Sequence, residues 1–514
     1  MKMLAPEWMK NARFPFGCVL IANRGEVACR IAKACKELNL STVAIYTIND
    51  QDSPLLELCD QIYLLEGETL NETYLNVNSI INAAKKTGAQ AIHPGFGFLS
   101  ESSEFAKAVD ESGLIWIGPS PDSIKTMGDK MSARKKMRSV GVPLVPGHEV
   151  SSTKIKDIHE ELINVSSNLG FPLLLKASAG GGGKGMRVVN RPSELAGAIE
   201  SAQREAETAF GDGRIYVEKL LTNCKHIEIQ ILADGFGNII HLGERECSLQ
   251  RRHQKVIEES PSPSVNEKLR NIMGSAGIAA AAAVSYMGAG TVEFLLDGEN
   301  FYFLEMNTRL QVEHPITEFV TGIDIVHQQL KIASGLPLQI KQSDVTMKGH
   351  SIESRIYAEN PSSGFLPSAG PLLRLKMPEG PGIRVDSGVV EGNEISTNFD
   401  PMIAKIIVHA ENRSTAIMRM KYALNETVLL GLDTNLEFLH ALLCDEDVKR
   451  GDTNTNLIET KWPEGWKPNE DLETIALGAI ACAISQKFGG NKLNLINGEA
   501  IEIDPFKLIN KKFP

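Results

Sequence analysis

Three stretches of the chain concentrate residues that could do chemistry. The first, Lys176-Ala-Ser-Ala-Gly-Gly-Gly-Gly-Lys184-Gly-Met, follows a short run of strand character, Pro172–Lys176. Consecutive glycines let backbone N–H groups reach phosphate oxygens with no side chain between them, and the two lysines add positive charge at either end. The glycine–lysine register of a Walker A loop is absent. A plain surface turn would also be rich in glycine, but the entering strand and the flanking lysines favour phosphate. The second stretch, Thr291–Asn307, reads as a hairpin. With its turn centred on Glu299, Glu293 and Glu305 stand opposite each other on one face. Two carboxylates so placed repel unless a cation lies between them. Together with Asn307 they make an oxygen donor set suited to Mg²⁺ beside substrate phosphates. A solvated hairpin edge would carry the same residues, and a one-residue slip would separate the pair. The third stretch, Arg309-Leu-Gln-Val-Glu313-His-Pro, joins Cys247-Ser-Leu-Gln250-Arg-Arg-His253-Gln-Lys255 in supplying cations for an anionic substrate and a carboxylate for proton abstraction. Each alone could be a solvated loop. Nothing local assigns a role to Arg355, in Glu353-Ser-Arg355-Ile.

These residues need elements to hold them. Cys18–Ala22, Thr42–Thr47, Ile62–Leu65 and Ala91–His93 read as strands, and Glu26–Leu38 has apolar residues at helical spacing. Strands alternating with helices predict an α/β region with a parallel sheet covered on its faces. Its first turn, Asn23-Arg24-Gly25-Glu26, is not a dinucleotide fingerprint. Further on, Ile124–Val140 reads as one helix, while His226–Leu232 and Thr291–Glu305 alternate with period two, the pattern of half-buried antiparallel strands. Regular structure is expected to end near Thr460, before Pro463, Gly465 and Pro468.

A length of 514 residues implies two to four domains. Hydrophobic content of 42% and charged content of 23% are those of a globular protein in water. The net charge of -11 argues against a broad nucleic-acid footprint. The longest apolar run, Ile475–Ile484, is about half the roughly 20 residues a bilayer-spanning helix needs, so no membrane partner is expected. Met1–Phe16 lacks the continuous apolar core of a secretory signal. Eight cysteines without a CxxC pair point to reduced thiols and a cytoplasmic or matrix-like compartment.

Taken together, the chain resembles the biotin carboxylases of the ATP-grasp superfamily. The resemblance runs from about Gly17 to Leu457. It is carried by Ile21-Ala-Asn-Arg-Gly-Glu26, His93-Pro-Gly-Phe-Gly-Phe-Leu-Ser-Glu101, Met127-Gly-Asp-Lys130, the glycine loop, Gln250–Lys255 and Glu305–Pro315. It implies an N-terminal parallel-sheet domain (15–130), an ATP-grasp domain (131–345) with a mobile lid at about 148–220, and a C-terminal mixed α/β domain (346–460). A linker and tail (461–514) would follow. By the same resemblance, Lys130 and Lys176 contact ATP phosphates, and Gly182 and Gly183 lie in the lid. Glu218, Lys219 and Leu221 form the adenine-side hinge, with Gln250, His226 and His253 as further nucleotide contacts. Glu293, Glu305 and Asn307 ligate Mg²⁺ or Mn²⁺. Lys255, Arg309, Gln311 and Val312 line a bicarbonate pocket, Glu313 is the base, and Arg355 faces biotin.

The implied reaction is ATP-dependent carboxylation of biotin through carboxyphosphate. Implied partners are a biotin carboxyl carrier protein or domain, a carboxyltransferase subunit and a second copy of the chain. No Ala-Met-Lys-Met biotin-accepting motif is found, so biotin is expected on another polypeptide or domain. Two departures are small: Ala179 stands where glycine is common, and Asn398-Phe399-Asp400-Pro401 replaces a Tyr-Tyr-Asp-Ser version. Asp386–Val390 looks more like propionyl- or methylcrotonyl-type subunits than bacterial acetyl-CoA enzymes. The competing readings are another ATP-grasp ligase and a non-catalytic assembly subunit.

Overall fold

The computed structural model describes residues 14–150, 155–178, 186–252, 254–468 and 478. The N-terminal alternation folds as expected. β1 (Cys18–Ile21), β2 (Ser41–Tyr46), β3 (Gln61–Leu64), β4 (Ala91–His93) and β5 (Ile115–Trp116) form a parallel sheet of order β3-β2-β1-β4-β5. Its central strands are buried on both faces, which explains their nearly unbroken apolar runs. Helix α1 (Gly25–Glu37) starts on Gly25 at φ +67, a left-handed turn that a side chain would strain.

The expected single helix over 124–140 is two. α2 (Pro121–Gly128) stops, and α3 (Lys130–Ser139) starts afresh because Asp129 turns back to accept from the Ser132 amide at 2.7 Å. The break puts Lys130 at the first position of α3, where its backbone N–H donates to Ser178 O at 3.1 Å. The next unit is a small antiparallel sheet of β6 (Gly147–Glu149), β7 (Leu173–Ala177), β8 (Arg187–Val189) and β9 (Ile215–Lys219). It is covered by α4 (Ile155–Leu169) and α5 (Leu195–Phe210), with its own apolar core.

The largest sheet has eight described strands. These are β10 (Lys225–Ala233), β11 (Ile239–Arg251), β12 (Gln254–Ser260), β13 (Gly288–Asp297), β14 (Asn300–Asn307), β15 (His350–Tyr357), β16 (Ile383–Ser387) and β17 (Met402–Ala410). Their order is β14-β13-β10-β11-β12-β15-β17-β16, so the sheet passes without interruption from the central strands into the C-terminal ones. α6 (Glu267–Ala282) covers one side, and α7 (His314–Thr321) and α8 (Arg413–Glu426) pack along it.

The expectation of half-buried strands fails here. β10 and β13 are buried along almost their whole length, polar residues included. Period two reports two different faces, and water is only one of the things that can cover a polar face. In this sheet other charged side chains cover it. At the chain's described end, Trp462 and Trp466 pack edge-on against Phe438.

Candidate active site

Register puts the chemistry in one row. The β13–β14 hairpin turns on Gly298-Glu299, with Asp297 paired to Asn300 and Gly298 at φ +62. That turn is half a residue off the expected centre, and unaided it would set Glu293 opposite Leu304. A β-bulge absorbs the difference: Phe294 pairs with Phe303, Leu304 is the extra residue, and Glu293 lands opposite Glu305. The row continues through two more pairings, Glu293 with Glu228 on β10 and Glu228 with Arg245 on β11. Three carboxylates on adjacent strands would repel strongly in a buried site. Cations threaded among them answer this.

Lys255, on β12, is the hub. Its ammonium lies 2.6 Å from Glu228 Oε2, 2.9 Å from Glu293 Oε1 and 2.6 Å from Glu313 Oε1. Arg245, wholly buried, donates to Glu228, to Gln230 at 2.6 Å, to Thr317 at 3.0 Å and to Thr291 at 3.1 Å. Arg355, on β15, donates Nε to Glu258 Oε1 at 2.5 Å and Nη2 to Glu313 Oε2 at 3.0 Å. Glu313 is the N-cap of α7, fully buried, with Lys255 on one oxygen and Arg355 on the other. Burial alone would raise its pKa. The Lys255 ammonium, then Arg355 and Arg245, outweigh that and hold the carboxyl well below the usual range. Burial likewise opposes charge on Lys255, yet its three carboxylates keep it firmly protonated. Glu258 is pushed up to about 7 by burial, against the pull of Arg355.

Arg309 extends the cationic wall. Its Nε lies 3.0 Å from Glu101 Oε2, and its other nitrogens donate to Asn307 Oδ1 and Gln311 Oε1, each at 3.0 Å. Gln311 and Asn307 both donate to Glu293 Oε1, at 3.1 and 2.8 Å. Val312 presents its backbone, with its carbonyl bonded to Lys405. At the other end of the row, Lys130 Nζ is 3.8 Å from Glu305 Oε2. Lys176 Nζ is 2.6 Å from Glu218 Oε2, and Arg134 holds the other Glu218 oxygen. Glu218 is buried, whereas the neighbouring Lys219 side chain is exposed and Leu221 is intermediate. His226 Nε2 is 3.1 Å from Glu293 Oε2. Gln250 is buried and pairs with Lys255 across the strands. Gly182, Gly183, Ala179, Lys184 and His253 lie outside the described residues, as does the tail beyond 468 apart from residue 478.

The donor chemistry fits a hard divalent cation. Glu293 and Glu305 face each other, Asn307 adds an amide oxygen on the same strand as Glu305, and all three are oxygen donors, with the Lys130 ammonium 3.8 Å from Glu305. Sequence reasoning missed Glu228, Arg245, Glu258 and Glu101 as parts of the site. Glu228 carried a signal: His226, Glu228 and Gln230 alternate with isoleucines, a pattern that a water-facing strand shares.

Comparison with known proteins agrees with this geometry. Residues 15–124 match the biotin carboxylase N-terminal domain model, 129–341 the carbamoyl-phosphate synthase L chain ATP-binding domain, and 353–460 the biotin carboxylase C-terminal domain. Biotin carboxylase 1 of Bacillus subtilis is 48% identical over 444 residues, covering 86% of this chain and 98% of that protein. The chain belongs to the biotin carboxylase family. Another relative is the mitochondrial methylcrotonoyl-CoA carboxylase subunit alpha of Dictyostelium discoideum, 47% identical over 92% of this chain and 67% of that subunit. A solved family member, the biotin carboxylase domain dimer of Hydrogenobacter thermophilus 2-oxoglutarate carboxylase with MgADP, ADP and bicarbonate, superposes with a TM-score of 0.84. It is 43% identical, covering 88% of this chain and 99% of that one. The Campylobacter jejuni biotin carboxylase, in a beta-gamma-ATP complex, superposes with a TM-score of 0.83 at 42% identity, over 87% and 99% of the two chains. Like these relatives, the chain is a ligase of the ATP-grasp type. Among the described residues no helix is long and apolar enough to cross a membrane.

Proposed function

We propose that the chain carboxylates biotin with bicarbonate at the expense of ATP, as the first half-reaction of a biotin-dependent carboxylase. The observation that carries this is Glu313: a fully buried carboxylate, shared between Lys255 and Arg355, and joined through Lys255 to Glu293 in the row of metal-type ligands. Bicarbonate is a weak nucleophile. Glu313 takes its proton while Lys255 and Arg309 hold the resulting charge. An arriving bicarbonate also draws the Lys255 ammonium towards itself. That frees Glu313 from its strongest restraint, so the carboxylate becomes more basic as substrate binds.

Lys130 and Lys176 orient the ATP phosphates for attack at the γ-phosphoryl group, giving carboxyphosphate and ADP. When bound, Mg²⁺ or Mn²⁺ held by Glu293, Glu305 and Asn307 would neutralise phosphate charge. Carboxyphosphate breaks to CO₂ and phosphate, and the phosphate takes the ureido proton of biotin. Arg355 steadies the anionic ureido oxygen while the nitrogen attacks CO₂. Closure by a lid at about 148–220, with Gly182 and Gly183 over the phosphates, would keep water from the intermediate.

Glu218, Lys219 and Leu221 serve as the adenine hinge, with His226, Gln250 and His253 as further nucleotide contacts. Gln311 and Val312 complete the bicarbonate pocket. The functional divisions are 15–130, 131–345 and 346–460, with 461–514 as linker and tail. A separate biotin carrier, a carboxyltransferase subunit and a second copy of the chain are the partners; two relatives are named as the alpha subunit or alpha chain of an acyl-CoA carboxylase, and one solved relative as a domain dimer. A cytoplasmic location is supported by the seven cysteines of the described residues, all free.

The test is bicarbonate-dependent ADP release measured with and without free biotin. Stimulation by biotin is expected. Release indifferent to biotin would refute the assignment and leave an ATP-grasp ligase for a different acid.

A further inference from the structure

Behind Glu313 lies a lysine that the mechanism does not use. Lys405 sits in the middle of β17, directly across from Arg355 on β15, with no exposed surface. Its ammonium donates to the carbonyl oxygen of Val312, the residue before Glu313. It lies 3.3 Å from Glu26 Oε1 in α1 and 3.9 Å from Asp386 Oδ2 in β16. Asp386 is gripped by Arg384 through two bonds of 2.9 and 2.7 Å. Arg384 also donates to Glu318 of α7 at 2.7 Å, and Glu318 accepts from Arg30 of α1 at 3.1 Å. The chain of charges therefore starts on α1, crosses the C-terminal strands and returns to α1, having seized α7 both ahead of its first residue and along its body.

Such a network is a poor device for stability alone. Desolvating an ammonium and several carboxylates costs about as much as their attraction returns, and an apolar replacement of similar shape is often neutral or better. What the lysine provides is placement. The Val312 carbonyl and the Glu313 amide belong to one peptide, so holding that oxygen fixes the backbone from which the Glu313 carboxylate reaches between Lys255 and Arg355. A displacement of about 1 Å in a reacting group costs roughly 10²-fold in rate.

We propose that Lys405 is a positioning residue for the bicarbonate pocket, tying the Val312–Glu313 peptide to α1 through Glu26 so that the base meets its substrate in register. This rests on the reading of Glu313 as the base. The experiment compares Lys405→Met, which keeps length but loses the donor, with Lys405→Gln, which keeps an N–H donor, and with Glu313→Gln. Each purified full chain is assayed for biotin-stimulated ADP release, with separate KM values for bicarbonate and ATP.

Lys405→Met should raise the bicarbonate KM about tenfold and lower kcat by about the same factor, with the ATP KM within about twofold of wild type. Lys405→Gln should recover part of the bicarbonate defect. A merely structural lysine would lower the active fraction and leave both KM values alone, and that outcome overturns the proposal. So does a Gln variant no better than Met. If Lys405→Met fails to fold, Lys405→Gln decides by itself: a selective rise in bicarbonate KM supports positioning, and an unchanged value refutes it. Glu313→Gln separates the two readings. Wild-type turnover there would remove the base assignment, whereas an inactive Glu313→Gln beside Lys405 variants with normal bicarbonate KM would remove only the positioning role.

Discussion

The eight-stranded sheet buries charge on both of its faces, and the two faces treat it differently. Alternation along β11 and β12 sends Arg245 and Glu258 to one side and Glu244, Glu246 and Glu259 to the other. On the second side each acid has dedicated partners. Glu244 takes two bonds from Arg270, at 2.6 and 2.7 Å, and Glu259 takes two from Arg413, at 2.7 and 3.0 Å, with His350 at 2.7 Å. Glu246 is met by Ser262, Ser248 and Thr453. On the first side one ammonium, Lys255, serves three carboxylates, while Glu258 Oε2 and both oxygens of Glu353 have no hydrogen-bond partner. Closed pairs hold strands together. Over-subscribed ones leave capacity for an incoming anion, cation or proton, which is what a reaction requires.

The contrast can be broken at its two ends. The largest effect belongs to Glu313→Gln, which removes one of three claimants on Lys255 and the carboxylate proposed as the base. Turnover should fall by about 10³-fold, within the usual range for a lost general base, and the melting temperature should fall as well, because a carboxylate held well below its usual range by Lys255 and Arg355 stabilises the folded chain. Bicarbonate-dependent ADP release and thermal unfolding measure the two halves. Unchanged bicarbonate-dependent ADP release in Glu313→Gln would take the role of base from this carboxylate.

The mirror image is Arg413→Met on the opposite face. Breaking a buried pair that is otherwise satisfied should cost about 3 kcal/mol of stability with kcat and both KM values unchanged. The same pair sets an acid response. Burial alone would raise the Glu259 pKa, but the hydrogen bonds from His350 and Arg413 bring it from 4.5 down to about 2. A carboxyl depressed on folding stabilises the native state fully above its unfolded value. That contribution, about 3 kcal/mol for such a displacement, is lost as the pH falls from about 4.5 towards 2. Denaturant unfolding as a function of pH should show this loss in the wild type and a smaller one in Arg413→Met. An acid limb of equal steepness in both would exclude Glu259 as its source.

The two faces also mark where sequence reasoning succeeds. The parallel sheet was legible because its strands are apolar on both sides and short, so burial and element type coincide. The Glu293–Glu305 pairing was legible in outcome but not in cause. Its turn lies half a residue away from the expected centre, and the bulge at Leu304, which no turn rule in the sequence announces, restores the register. Asp129 split a helix that periodicity ran together, since a capping aspartate between two helices leaves apolar spacing undisturbed. Glu228 and Arg245 were missed for a deeper reason. Alternation says that a strand has two environments, and only tertiary structure says that the polar one is sealed beneath α7, where Arg245 meets Thr317, and not open to water.

The smallest expected effect, and the cleanest dissection, is at Glu305. Its partner across the row, Glu293, is bound by Lys255, Asn307, Gln311 and His226, so any substitution there disturbs charge balance and cation affinity together. Glu305 is 36% exposed in its side chain, and its ion pair, with Lys130, is 3.8 Å long. A pair of that length and exposure contributes little, so Glu305→Gln should shift stability by no more than about 0.5 kcal/mol. Its oxygen still matters if it ligates a hard cation, because a neutral amide is a weaker donor than a carboxylate in such a site. Mn²⁺ titration in the presence of ADP should therefore show affinity weakened about tenfold, the lower end of what disturbing a metal site costs, with ADP binding in the absence of metal unaltered. Equal Mn²⁺ affinity in variant and wild type would take Glu305 out of the donor set and leave its place opposite Glu293 as a contact that Lys130 alone accounts for.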